Sequence, residues 1–78
     1  VEFGPSGIRV NSVAPGPTRT EGVEAEWGET NEQLGRSLPL GRTASPDEIA
    51  EAVLFLASER ATFITGSVLH ADGGGSAV

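Results

Sequence analysis

The stretch SPDEIAEAVLFLA, residues 45–57, organises the reading of this chain. Ser45 offers a capping hydroxyl, Pro46 suits the first helical position, and Glu48 stands three residues beyond the cap. Together they form a capping box, with Asp47 and Glu48 also well placed for the helix dipole. Beyond the cap, Ile49, Val53 and Leu56 recur at helical spacing, flanked by the parallel row Ala50, Leu54 and Ala57. Asp47, Glu51 and Ser58 mark a narrow polar side. The pattern predicts a helix over residues 46–59, and an apolar arc this wide implies packing on a sheet and on something else.

A strand is expected on each side of that helix. Residues 8–14 (IRVNSVA) form a β-branched run between Gly7 and Pro15-Gly16-Pro17, with apolar side chains on both faces. Residues 64–71 (ITGSVLHA) form the second run, closed by Asp72-Gly73-Gly74-Gly75. Two such runs joined by a helix make a βαβ unit, for which a parallel pair with a right-handed crossover is expected. Val1 to Gly4 reads as the end of an earlier helix, with Gly4 as its left-handed cap and Pro5 blocking continuation. Residues 18–44 read as a long connection without a firm element, a length usual for functional loops. It holds five glutamates (Glu21, Glu24, Glu26, Glu29, Glu32), and helical turns are expected only around residues 23–27. The chain shows no internal repeat.

Composition removes several function classes. Seventy-eight residues carry eleven acids against five bases, a formal charge of −6. That argues against nucleic acid and against an anionic membrane, since both need a basic footprint. With no cysteine and one histidine, disulfides and a zinc cluster fall away, and no metal site is expected. All five bases are arginine, and the chain contains neither lysine nor tyrosine. The chain opens at Val1 without a targeting run, and the expectation is a cytoplasmic protein whose beginning is missing. A lone two-stranded unit of this size rarely stands by itself in water, so the edge of a larger sheet is expected.

Few residues read as chemical. Gly73-Gly74-Gly75 lacks the spacing of a dinucleotide fingerprint and any lysine for a phosphate loop, so a strand exit is expected. His70 reads as structural or interfacial, and Asp72 as fixing the turn after the second strand. The glutamates read as a solvated face. Trp27 either lines a pocket under the connection or anchors it to the body. The stronger signal is PGPTRT, residues 15–20, directly after a strand. Ligands of parallel α/β sheets bind beyond the carboxyl ends of the strands. There Gly16 would let backbone approach a ligand, while Thr18 and Thr20 offer hydroxyls and amides.

These blocks line up with a family. VEFGPSGIRVNSVAPG, the P-G-x-x-x-T form of PGPTRT, PLGR, SPDEIAEAVLFLAS and FITGSVLHADGG together resemble the C-terminal third of the short-chain dehydrogenase/reductases. Only residues 21–37 depart freely. The resemblance implies the C-terminal βαβ portion of a Rossmann-type, doubly wound parallel α/β sheet. It also implies an NAD(P)-dependent oxidoreductase moving hydride between the nicotinamide and an alcohol or carbonyl substrate. In that scheme Pro15 and Gly16 shape the turn beside the nicotinamide. The Thr18 backbone holds the carboxamide, and the Thr20 hydroxyl serves the carboxamide or diphosphate. Trp27 belongs to the substrate-covering loop, Asn11 is a structural asparagine, and Asp72, Gly73 and Gly74 lie near the substrate pocket and subunit contacts. A homo-oligomer through residues 46–59 and 64–71 is implied. The family's glycine-rich loop, catalytic serine and Tyr-x-x-x-Lys pair belong upstream, so no catalytic residue is expected here and the chain alone is expected to be inactive. The alternatives are a non-catalytic interaction or oligomerisation fragment and, less favoured, a stand-alone miniprotein.

Overall fold

A computed structural model describes residues 4–77. Strands β1 (Ser12–Pro15) and β2 (Val68–Ala71) pair in parallel, from Ser12 opposite Val68 to Pro15 opposite Ala71. Between them run helices α1 (Glu21–Arg36) and α2 (Pro46–Ala57). Single 3-10 turns occupy Gly4–Ser6, Glu59–Ala61 and Gly75–Ala77. The helix end expected over residues 1–4 lies outside the described residues except for Gly4, which opens the first 3-10 turn.

The capping box forms as the sequence dictates. The Glu48 N–H donates to the Ser45 hydroxyl at 3.3 Å, and the Ser45 N–H donates to Glu48 Oε1 at 2.9 Å. Arg42 adds a forked pair, with Nη1 and Nη2 each 2.8 Å from a Glu48 oxygen. Hydrogen bonding from Arg42, then from Ser45, holds the Glu48 carboxyl at about 2, down from an ordinary 4.5. A depressed carboxylate pKa contributes stability that is present above its unfolded value and is lost as pH falls through its folded one. Glu48 therefore supports the fold fully above pH 4.5 and loses that support toward pH 2. Acid titrations of stability should show this limb in the parent and a flatter one in Glu48→Gln; identical limbs would remove the pair from the account.

Helix α2 stops at Ala57, two residues short of the expected span. The Ser58 hydroxyl donates to the Phe55 carbonyl at 2.7 Å and accepts from the Arg60 N–H at 3.2 Å, turning the chain into a 3-10 turn. Both strands are also shorter than residues 8–14 and 64–71, because side chains replace part of the ladder. Asn11 Nδ2 donates to the Ile64 carbonyl, and Asn11 Oδ1 accepts from the Ser67 N–H, both at 3.0 Å. Arg9 Nη1 reaches the same Ile64 carbonyl at 3.0 Å, and the Val10 N–H donates to the Thr65 hydroxyl at 3.2 Å. Asn11 thus clamps the approach to β2 and sets its register, in keeping with a structural role.

The larger correction concerns residues 18–44, expected as an irregular connection. Sixteen of them form α1, capped by the Thr20 hydroxyl, which accepts from the Val23 N–H. The helix kinks at Trp27, whose φ of −132° and ψ of 16° leave the helical range. Its two buried residues are Asn31 and Gly35. A stripe of amide and glycine shows no apolar period, which is why hydropathy patterning passes over it.

Among the described residues the buried hydrophobics are Leu56 and Ala61. One side of α2 lies on the strand pair, with Leu56 buried and Ile49 half-buried. The rest of the wide arc is uncovered: Val53, Leu54 and Phe55 are exposed, as are Val68 on β2 and Phe63, whose ring is entirely in solvent. No helix among the described residues is long and apolar enough to cross a membrane.

Candidate functional site

Because β1 and β2 are parallel, their carboxyl ends finish side by side, and the turns leaving them touch. The Gly16 N–H donates to the Ala71 carbonyl at 3.1 Å. A Cβ on Gly16 would lie 2.7 Å from the Asp72 Cα, so only glycine lets the two turns pass this closely. The close approach at Gly16 is thus to the neighbouring strand exit. That exit is built by Asp72, whose carboxylate accepts from the Gly74 and Ser76 N–H groups, both at 3.1 Å. Hydrogen bonding from the Ser76 side chain, followed by these N–H groups, lowers the Asp72 pKa from its ordinary range. Gly73 and Gly74 take positive φ values of 65° and 93°, as a tight turn requires. The three glycines are thus a capped turn, and the Leu40 N–H closes on the Gly73 carbonyl at 3.0 Å.

Past Gly16 the chain runs extended beside residue 44. The Ala44 N–H donates to the Pro17 carbonyl at 2.9 Å, and the Arg19 N–H to the Ala44 carbonyl at 2.8 Å. Thr18 turns its hydroxyl inward onto the Gly16 carbonyl at 2.9 Å, and its own carbonyl accepts from Asn31 Nδ2 at 3.1 Å. The Thr18 N–H makes no hydrogen bond among the described residues. Thr20 is spent only as an acceptor, toward Val23, which leaves its hydroxyl proton available. Sequence reasoning places Pro15, Gly16, Thr18 and Thr20 in one turn. The fold sets that turn at the carboxyl edge of the sheet and ahead of the amino end of α1, with two donors unspent.

Asn31, Gly35 and Thr43 are the residues that sequence reasoning missed. Asn31 and Gly35, one helical turn apart, seat α1 on the strand-like segment around Thr43. Their only sequence signal is the i, i+4 spacing of an amide and a glycine. Trp27 stands 63% exposed at the kink. His70 Nδ1 lies 3.9 Å from Asp72 Oδ2, at the edge of a 310 Å³ cavity bounded by Pro17, Leu38, Leu40, Ile49 and Gly74. Among the described residues no group of three or more His, Cys, Asp or Glu could hold a metal.

Comparison with known proteins completes the picture. The family profile described as Enoyl-(Acyl carrier protein) reductase matches residues 1–76. The chain belongs to the short-chain dehydrogenase/reductase family. It is 56% identical over 77 residues to an A-factor type gamma-butyrolactone 1'-reductase (1S-forming) of Streptomyces virginiae, covering 94% of this chain and 30% of that protein. Over another 77 residues it is 54% identical to a peroxisomal 2,4-dienoyl-CoA reductase of Danio rerio, covering 95% of this chain and 26% of that protein. Among solved structures, a short-chain dehydrogenase/reductase family oxidoreductase from Burkholderia thailandensis superposes with a TM-score of 0.89 at 44% identity. That match covers 99% of this chain and 31% of the other. The chain thus spans about three-tenths of the relatives it matches, and its parallel βαβ arrangement is the Rossmann-type arrangement of that oxidoreductase family.

Proposed function

We propose that this chain forms the nicotinamide-side turn, the substrate-covering helix and a subunit surface of an NAD(P)-dependent oxidoreductase acting on an alcohol or carbonyl compound. The observation that carries the reading is the pair of unspent donors, the Thr18 N–H and the Thr20 hydroxyl, at the carboxyl edge of two parallel strands. Both suit a carboxamide or phosphate oxygen, and the amino end of α1 adds a positive partial charge. When bound, the nicotinamide supplies or accepts hydride. The chain's own residues hold and orient: Gly16 and Asp72 fix the floor of the turn, Asn31 ties α1 to Thr18, and Trp27 stands on the covering helix toward substrate.

The proton chemistry lies elsewhere. With no tyrosine and no lysine, this chain supplies neither member of the family's Tyr-x-x-x-Lys pair, and alone it is inactive. The uncovered apolar side of α2 and β2 fits assembly, as contiguous exposed apolar surface usually does. We assign Val53, Leu54, Phe55 and Val68 to contacts with the rest of the sheet and with a second copy.

The test is Thr20→Val against Thr20→Ser in the protein that carries this chain. Loss of one hydroxyl donor to a ligand should weaken dinucleotide affinity about tenfold in Thr20→Val. Thr20→Ser, which keeps both cap and donor, should stay near the parent. Equal affinity in all three proteins would refute the role of Thr20.

A further inference from the structure

In a chain of charge −6, three of the five arginines meet at one cavity. Arg19, Arg36 and Arg42 line a 240 Å³ hollow together with Glu32, Gly41 and Thr43. Neither Thr18 nor Thr20 lines it, so it is separate from the two donors assigned to the nicotinamide. We propose that this hollow is a binding site for a phosphate group.

The Arg19 guanidinium makes no hydrogen bond or ion pair among the described residues, although its backbone is pinned to Ala44. Arg36 meets Glu32 only at 3.7 Å, with both side chains more than 60% exposed. A pair of that kind holds an arginine weakly, and a phosphate accepting a guanidinium fork competes well against it. Arg42 is committed to Glu48 and to the Thr43 carbonyl, and contributes charge more than a free donor. Glu32 is the one carboxylate in the lining, and it opposes binding in part.

Thr43 adds a hydroxyl to the lining. It is only 6% exposed, and its methyl branch lies against Gly35. Its hydroxyl makes no hydrogen bond among the described residues, and since no side-chain polar atom there is both buried and unpartnered, that hydroxyl is open to solvent in the hollow it lines. A solvent-facing hydroxyl beside two loosely held guanidinium groups matches the oxygens of a dianion.

The experiment titrates the protein carrying this chain with inorganic phosphate, and separately with adenosine 3′,5′-bisphosphate, by calorimetry at low ionic strength. Saturable binding is expected, weakened about tenfold by Arg19→Gln and by Arg36→Gln, and left unchanged by the distant Arg60→Gln. Thermal unfolding of each variant confirms that the fold is kept. Tighter binding of the bisphosphate would place the phosphate on a larger organic ligand, and equal binding would make it a free oxyanion; both support the site. Lack of saturable binding by either probe overturns it, and so does equal weakening by Arg19→Gln and Arg60→Gln. Because Thr20 is untouched, the result stands apart from the fate of the cofactor reading.

Discussion

Gly16→Ala should destabilise the protein that carries this chain by about 3 kcal/mol, the upper end of what overpacking costs. The added methyl would lie 2.7 Å from the Asp72 Cα and 2.9 Å from its Cβ. Neither atom belongs to a flexible side-chain end, so relief requires moving backbone. The backbone concerned joins the carboxyl ends of β1 and β2 through the Gly16 to Ala71 hydrogen bond. It also carries the Asp72 carboxylate that caps the following turn. Separation there loosens the strand pair and tilts Thr18 and Thr20 together, so dinucleotide binding should fall along with stability. Urea unfolding checks the first effect. A midpoint within error of the parent would mean that the two turns do not meet as described.

Gly35→Ala should have an effect of similar size through a different contact. Its methyl would stand 2.6 Å from the Thr43 nitrogen, 2.7 Å from Thr43 Cγ2 and 2.9 Å from the Arg42 carbonyl carbon. Helix α1 would have to lift from the segment that runs beside Thr18, stretching the 3.1 Å bond from Asn31 to the Thr18 carbonyl. The expected result is a loss of about 2–3 kcal/mol, with faster amide exchange across α1 while α2 keeps its protection. Uniform loss of protection in both helices, or none, would contradict the placement of Gly35 as the seat of α1.

The parts that sequence patterning reads well are those with local, redundant signals. Residues 45–48 carry hydroxyl, proline and carboxylate at fixed offsets, and α2 starts there as those offsets require. The two β-branched runs give the parallel pair, and the blocks around them give the family. What patterning misses depends on tertiary contact. Helix α1 buries Asn31 and Gly35, so its seat carries no hydrophobic period, and a glutamate-rich solvent face dominates the segment. Strand limits fail for a related reason: Asn11 replaces ladder bonds with side-chain bonds, an exchange invisible in composition. In the PGPTRT turn the residue types are legible, but the division of labour is not. Thr18 spends its hydroxyl on Gly16, so the backbone N–H is its free donor, and Thr20 caps the helix as an acceptor with its hydroxyl proton unspent.

In the function proposed above, the turn of residues 15–20 receives the nicotinamide end of a dinucleotide. The most direct test follows amide hydrogen exchange at Thr18 in the protein carrying this chain, with saturating NAD or NADP and, separately, with the matching ADP-ribose that lacks the nicotinamide. Slowed exchange at Thr18 with the dinucleotide and not with ADP-ribose is the predicted result. Equal slowing by both ligands, or unchanged exchange while the dinucleotide is bound, would contradict it.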